Sequence, residues 1–245
     1  MDPALELVRY SFRGNIEEVK RLLDAGADIN KLYESDTPLS AAAGEGNTDI
    51  VYELILRGAK TRKSFNRNRI PLNLAAARGF LDIAFLLLNN GADVNTRDIN
   101  NDTPLHAAIR RHYVEGNPDI SDKNFKEMIN LLIERGADVN AIGHIGRTPL
   151  HIAAVWRHSE IITLLHANRA NMNIIDDEGK TPMDITSDPD TVELLRRLGG
   201  QPARNIPFGS RALSSVTGLF KGGGRKTKKR AGRKIKSRKH RTRRT

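Results

Sequence analysis

The sequence predicts an all-α solenoid of about six stacked helical pairs with short β-hairpin loops, followed by a disordered basic tail. Three observations lead to this fold class. Two short motifs recur in phase over residues 1–200, the apolar residues between them have helical spacing, and the basic residues concentrate where the periodicity stops. A repeat period of roughly 20–50 residues is typical of proteins that stack one structural unit many times.

The first motif reads Thr-Pro-Leu or a close variant. It begins at intervals of 33, 33, 45 and 33 residues, at Thr37, Ile70, Thr103, Thr148 and Thr181. A threonine hydroxyl caps a helix, and proline suits the first helical position because its missing N–H would have no partner there. Each copy therefore predicts the start of a short helix.

The second motif reads Gly-Ala-Asp-x-Asn or a variant and follows each helical pair. Its copies begin at Gly26, Gly58, Gly91, Gly136 and Arg169. Glycine ends a helix in the left-handed conformation, and Asp-x-Asn turns the chain toward the next unit. Between the motifs lie two predicted helices. The first is rich in alanine, whose small side chain lets a neighbouring unit approach closely, and the second has a wide apolar face. Because two short helices cannot bury both faces alone, the units must stack.

This pattern of Thr-Pro-Leu-His, paired alanines and Gly-Ala-Asp-x-Asn resembles the ankyrin repeat family over residues 4–200. The resemblance implies a six-unit solenoid. The units span residues 5–30, 37–62, 70–95, 103–140, 148–173 and 181–200. In the last unit we expect Asp188-Pro189 to break the first helix early and Gly199-Gly200 to close the fold.

The interval of 45 residues holds 12 extra residues. Their polar composition, with glycine and proline, predicts a surface loop between the two helices, around Val114–Lys123. Two interpretations are open for this loop: a tolerated insertion without function, or a contact specific to one partner.

The sequence offers no catalytic constellation. There is no cysteine, which excludes disulfides and thiolate metal sites. The family resemblance implies that His106 and His151 hydrogen-bond neighbouring turns. Ser159 beside His158 lacks the elbow turn and the orienting acid that a serine nucleophile needs. The glycine run at 222–224 is not a phosphate-binding loop, because no strand precedes it. We therefore expect no enzyme activity, no cofactor and no metal site.

The N-terminus lacks the basic flank and apolar run of a signal peptide. The longest apolar stretch, Ile83–Leu88, is too short to span a membrane. We expect an intracellular monomer without a transmembrane segment.

Binding is then the expected activity. The family resemblance implies that partners contact the hairpin before each Thr-Pro-Leu and two exposed positions on each first helix. The candidate residues, named here the groove set, are Tyr33, Asn66, Arg67, Arg69, Arg78, Arg110, Arg111, His144, Ile145, Arg147, Val155 and Trp156. Arginine and tryptophan often dominate interface energetics. The set predicts a protein partner with acidic residues beside an apolar anchor; the alternative is that these are solvated charges and that Trp156 only packs on its neighbours.

The third hairpin, residues 60–69, carries five basic residues. It could face an acidic or phosphate-bearing partner, or it could be a solvated surface loop.

The charge divides sharply along the chain. Residues 1–200 have a net charge of −5, whereas residues 201–245 hold 16 Lys and Arg and no acid. We expect a linker or short helix over residues 201–220. Residues 221–245 have too few apolar side chains to offset the entropy of ordering and should be disordered.

Several functions are open for the tail: nuclear or nucleolar targeting, non-specific binding to DNA or RNA phosphates, anchoring to an anionic membrane, or mere solubility. The residues concerned are Arg225, Lys226, Lys228, Lys229, Arg230, Arg233, Lys234, Lys236, Arg238, Lys239, Arg241, Arg243 and Arg244. The tail is similar in composition to the basic C-termini of many proteins of large DNA viruses, which implies action in an infected host cell or on packaged DNA. The leading hypothesis is an interaction scaffold, nuclear or cytoplasmic; the alternative is a nucleic-acid-associated basic protein that binds through its tail.

Overall fold

The computed structural model describes residues 2–61, 69–111 and 122–207 of the chain. These residues form twelve α-helices in six consecutive pairs. The pairs are α1 (Pro3–Arg13) and α2 (Ile16–Asp24), α3 (Pro38–Glu45) and α4 (Thr48–Leu56), α5 (Pro71–Arg78) and α6 (Leu81–Asn89), α7 (Pro104–Arg111) and α8 (Asp122–Glu134), α9 (Pro149–Val155) and α10 (Ser159–Ala167), and α11 (Pro182–Ile185) and α12 (Pro189–Arg197). The predicted helical solenoid is confirmed.

The helices stack in two rows. The first helices contact one another in the order α1, α3, α5, α7, α9 and α11, and the second helices α2, α4, α6 and α8 form a parallel row that α10 and α12 continue. The described residues contain no β-strand; the hairpins are turns, with an isolated antiparallel bridge between Tyr33 and Asp36. The core lies between the rows, where Leu54, Leu87 and Leu132 are completely buried.

The Thr-Pro motifs start the first helices as predicted. Thr37, Thr148 and Thr181 each accept a backbone N–H of the first turn through Oγ1. The side chain three residues later in turn accepts the backbone N–H of the threonine. This reciprocal capping satisfies two backbone donors at once. Helix α5 is the exception, because Ile70 replaces the threonine and has no side-chain capping bond.

The asparagine that ends Gly-Ala-Asp-x-Asn does more than turn the chain. Asn95 Oδ1 accepts the backbone N–H of Asp138 (2.8 Å), and Asn95 Nδ2 donates to the Gly136 carbonyl (3.0 Å). Asn140 and Asn173 make the same pair of bonds to the unit that follows each of them. The motif therefore also joins neighbouring units laterally.

One expectation about the end of a helix was wrong. Helix α11 ends at Ile185, before Asp188-Pro189, and this dipeptide starts α12 instead: Asp188 accepts the N–H of Thr191 (2.9 Å). Proline is preset for a first helical turn, so Asp-Pro here acts as a start signal. Helix α8 begins at Asp122, at the end of the loop predicted around Val114–Lys123; residues 112–121 lie outside the described residues, so this loop stays a prediction.

The packing also continues past Gly199-Gly200. The backbone N–H of Ala203 donates to Asp184 Oδ2 (2.7 Å), the Thr181 hydroxyl donates to the Gln201 carbonyl (2.9 Å), and Ile206 is buried. A short 3-10 helix, Ala203–Asn205, lies in this segment. The rest of the predicted linker and the whole basic tail, residues 208–245, lie outside the described residues. Among the helices that are described, none has the length and apolarity needed to cross a membrane.

Candidate binding groove

The hairpins and the first helices form one face of the solenoid, named here the groove face, and two hollows open on it. The larger, of about 450 Å³, is lined by Ala77, Asp98, Asn100, Asp102, Ala107, Arg110 and His144. The other, of about 380 Å³, lies at the N-terminal end and is lined by Leu5, Val8, Arg9, Phe12, Arg13, Tyr33, Glu34, Asp36 and Ala41. Both hollows open between successive units and can receive side chains of a ligand.

Two buried histidines hold the framework under this face. The Thr103 N–H donates to His106 Nδ1 (3.2 Å), so the proton of a neutral ring lies on Nε2, which donates to the Arg147 carbonyl (3.1 Å). His151 repeats the arrangement with Thr148 and the Lys180 carbonyl. Each ring therefore joins its own helix cap to the hairpin of the next unit, as the family resemblance implied.

Burial lowers the pKa of both rings. The pKa of His106 falls from 6.5 to about 4, and that of His151 does the same, chiefly because a charged ring would lose its hydration. Both histidines are neutral at pH 7, consistent with a structural role.

The arginines of the groove set are engaged with acids. Arg69 Nε pairs with Asp36 (2.5 Å) and Arg78 with Glu45 (2.9 Å), each in the preceding unit, while Arg147 approaches Asp176 in the following unit (3.4 Å). Arg110 Nη2 pairs with Asp102 (2.7 Å). The four described arginines of the groove set thus form a row of ion pairs. Asn66 and Arg67 lie outside the described residues, as does the side chain of Arg111.

Asp102 contacts the fifth hairpin, which lacks the aspartate present in the hairpins on either side of it. In the fourth and sixth hairpins, Asp98 and Asp176 accept two backbone N–H groups of their own turn. Gly143 stands at this position in the fifth hairpin, and Asp102 Oδ1 reaches across to accept the His144 N–H (2.9 Å). A Cβ on residue 143 would lie 2.3 Å from that oxygen, so only glycine fits. Burial, with the neighbouring charge of Asp102, raises the pKa of Asp98.

The apolar residues of the groove set are divided between a hairpin and a helix end. Ile145 lies at the hairpin tip with φ 47° and ψ 39°, a left-handed conformation that β-branched residues rarely adopt, and it is 36% exposed. The neighbouring hairpin carries Ile99, which is 61% exposed. Val155 and Trp156 are half-buried at the end of α9, where Trp156 packs against the core. Tyr33 is half-buried beside the N-terminal hollow, and His144 is exposed.

Sequence reasoning missed Phe12 and Arg13, which line the N-terminal hollow. They precede Gly14 by two residues and one, as Gly44 and Glu45 precede Gly46. They therefore occupy the two first-helix positions that the family resemblance marks as partner-facing, and Phe12 is 50% exposed. The first unit lacks Thr-Pro-Leu, so positions counted from that motif could not be transferred to it; counting back from the shared Gly-Asn would have found them.

Comparison with known families agrees with this architecture. The model of ankyrin repeats, described as three copies, matches residues 7–98, 66–120 and 119–205. A search of curated proteins finds no match to the chain. The family match covers nearly all of the solenoid, and ankyrin repeats are protein-interaction modules. The chain therefore belongs to the ankyrin repeat family.

Proposed function

We propose that this protein is a non-enzymatic scaffold that holds a segment of another protein along its groove face. The observation that carries the proposal is the pair of open hollows on that face, with Ile99 and Ile145 exposed at adjacent hairpin tips. Large apolar side chains held in water by a rigid framework are typical of interaction sites. The left-handed backbone at Ile145 supports the same conclusion, because strained conformations concentrate at functional positions.

The partner chemistry that fits is an apolar anchor flanked by carboxylates. The anchor would contact Ile145, Val155 and Trp156. An arginine has five N–H donors; among the described residues, Arg69 donates to Asp36 through Nε and Arg110 donates to Asp102 through Nη2. A carboxylate of the partner can therefore take the remaining donors without displacing the internal ion pair.

Site-directed photo-crosslinking tests the groove. A benzophenone amino acid is placed in the full-length chain at Ile145, on the groove face, or at Thr163, which is exposed on α10. Extracts of cells that produce the protein are irradiated, and the crosslinked peptides are identified by mass spectrometry. We expect one dominant partner from position 145 and none of that partner from position 163. Equal labelling from both positions would exclude a groove-specific complex.

For the basic tail we propose a separate task, nuclear targeting or association with nucleic acid. The support is its charge: residues 201–245 carry all of the chain's net positive charge and no acid. If the tail binds DNA, the affinity of the full-length chain should fall with salt at a log–log slope of about −0.9 per phosphate contacted, and deletion of 221–245 should abolish binding. If deletion changes only the cellular location, targeting is the task.

A further inference from the structure

A second apolar surface lies on the second helices, away from the groove face. It consists of Tyr52 and Leu56 on α4 and Phe85 on α6, which are 56%, 68% and 47% exposed. Helices α4 and α6 contact each other directly, and Tyr52 and Phe85 occupy the same position in successive units. These three residues, named here the outer patch, form one surface across two units.

The repeat itself shows that this surface is unusual. Tyr52 and Phe85 each stand six residues before the turn glycine of their unit. At the same position the other units carry Lys20, Asn130, Thr163 and Glu193. The position of Leu56, two residues before the glycine, is otherwise occupied by Asp24, Asn89, Glu134, Ala167 and Arg197. The fold therefore accepts polar or small residues at these positions, and stability does not demand the apolar ones in the second and third units.

Cations stand at both ends of the patch. Lys20 holds the Tyr52 position in the first unit, and the guanidinium of Arg135 lies 5.1 Å above the centre of the Phe85 ring. Within the part of the chain that the structure describes, neither cation has an ion-pair partner. Arg57, beside Leu56, is by contrast held between Asp24 and Glu53. Along the stack, Lys20 precedes Tyr52 and Arg135 follows Phe85, while Asp24, the acid at the Leu56 position of the first unit, is paired with Arg57.

We propose that the outer patch is a second docking site, which takes an apolar segment of another protein flanked by acidic residues. Two apolar side chains of that segment would cover Tyr52, Leu56 and Phe85, and its carboxylates would pair with Lys20 and Arg135. The site makes the protein a scaffold with two faces, and it does not depend on the groove being occupied.

Two other occupants fit less well. A stable dimer of the chain would need to bury about 800 Å² of accessible surface on each protomer. The three half-exposed side chains of the outer patch offer only on the order of 300–400 Å² of apolar surface. The chain's own tail has apolar residues at Leu213, Val216 and Leu219, but residues 201–245 contain no acid to meet Lys20 and Arg135.

Selection of peptides on the full-length chain tests the site. A random 16-residue phage library is enriched on the wild-type chain and then sorted on Tyr52→Lys/Phe85→Asn, whose new residues are those the sequence itself places at that register. We expect a class of peptides that loses at least tenfold in affinity on this variant and that carries two apolar residues with flanking Asp or Glu. Thr163→Asn, at the same position on α10, is the matched control and should retain all peptides.

The variant must keep the thermal midpoint of the wild type, as its borrowed residues predict. A groove variant, Ile145→Asp, should leave the patch-dependent class unaffected, so failure of the groove and failure of the patch give different results. The proposal is wrong if no peptide depends on Tyr52 and Phe85, or if the dependent peptides are basic. It is also wrong if light scattering shows a dimer that the variant abolishes, or if deleting 114–120 or 208–245 raises peptide affinity by uncovering the patch.

Discussion

The second and third units and the fourth and fifth units are built on the same plan but joined by different chemistry. Between the fourth, fifth and sixth units, buried His106 and His151 bridge to the next hairpin through neutral hydrogen bonds. In the third unit Asn73 stands at the position of these histidines and donates to the Asp102 carbonyl (3.3 Å). This unit has no threonine at the start of its first helix. In the second unit Ser40 donates to Asp36 of its own hairpin, and the Asp36–Arg69 ion pair links to the next unit.

The difference teaches that the recurring motif fixes the geometry of a unit but not the chemistry of its junction. A neutral imidazole bridge is sensitive to protons, whereas a quarter-exposed ion pair is sensitive to salt. The junction between the second and third units should therefore respond to salt, and the two junctions bridged by histidine should respond to pH, although Arg147 adds an ion pair with Asp176 at the last of them.

The largest effect should come from acid. A histidine whose pKa is lowered on folding binds its proton in the unfolded chain first, so its stabilisation is complete above pH 6.5 and is lost as the pH falls toward about 4. Between pH 7 and pH 5 the unfolding free energy should fall by roughly 2 kcal/mol for each ring, and so by about 4 kcal/mol for the two together. Urea unfolding across this range measures it. A variant with His106→Gln should show a shallower pH slope; an unchanged slope would mean that His106 is not the titrating group.

Removing a bridge should have the next largest effect. His106→Ala leaves the Arg147 carbonyl and the Thr103 hydroxyl without their partner and opens a cavity, so the unfolding free energy at pH 7 should fall by about 3 kcal/mol. The control is His166→Ala, because His166 is exposed on α10 and its removal should cost less than about 0.5 kcal/mol. A loss below 1 kcal/mol for His106→Ala would show that the bridge is dispensable.

The ion-pair junction should be weaker. The side chains of Arg69 and Asp36 are 28% and 23% exposed, so Arg69→Gln should cost about 1 kcal/mol at low salt and less in 1 M NaCl. Amide hydrogen exchange of α3 and α5 resolves the effect locally. A matched variant, Arg196→Gln, removes a pair whose side chains are 58% and 45% exposed and should change little. Salt-independent destabilisation by Arg69→Gln would point to packing instead of charge.

Most of this fold follows from sequence periodicity alone. The starts of the first helices were expected from the recurring Thr-Pro motifs, and the bridging role of His106 and His151 was implied by the family resemblance; the structure confirms both. The wrong expectation concerned a dipeptide that is found both at the ends and at the starts of helices. Asp188-Pro189 can end one helix or start another, and only the packing of Thr191 and Leu195 in α12 decides between them.

The groove was harder to predict than the fold. The sequence marks which positions face outward, but not which acid approaches which arginine: Asp36 and Arg69 are 33 residues apart and meet only because the units stack. The hydrogen bond from the His144 N–H to Asp102, made possible by Gly143, is likewise a contact between units. Such contacts depend on the distance between hairpins, which a repeat pattern does not specify.

The smallest expected effect is that of a substitution at Ile145 in the fifth hairpin, where a change in stability can be told apart from a change in binding. Ile145 and Gly146 both have positive φ, at 47° and 73°, and the Arg147 N–H donates to the His144 carbonyl, which is the geometry of a tight turn that favours Asn-Gly. Ile145→Asn should therefore raise the unfolding free energy by at most about 0.5 kcal/mol, because asparagine tolerates the left-handed conformation, whereas the isoleucine side chain, only 36% exposed, gives up part of its packing. Denaturant unfolding gives the stability, and the crosslinked partner's affinity gives the function. If isoleucine is kept for contact, the more stable variant should bind that partner more weakly; if both stability and affinity rise, Ile145 is not part of the binding surface.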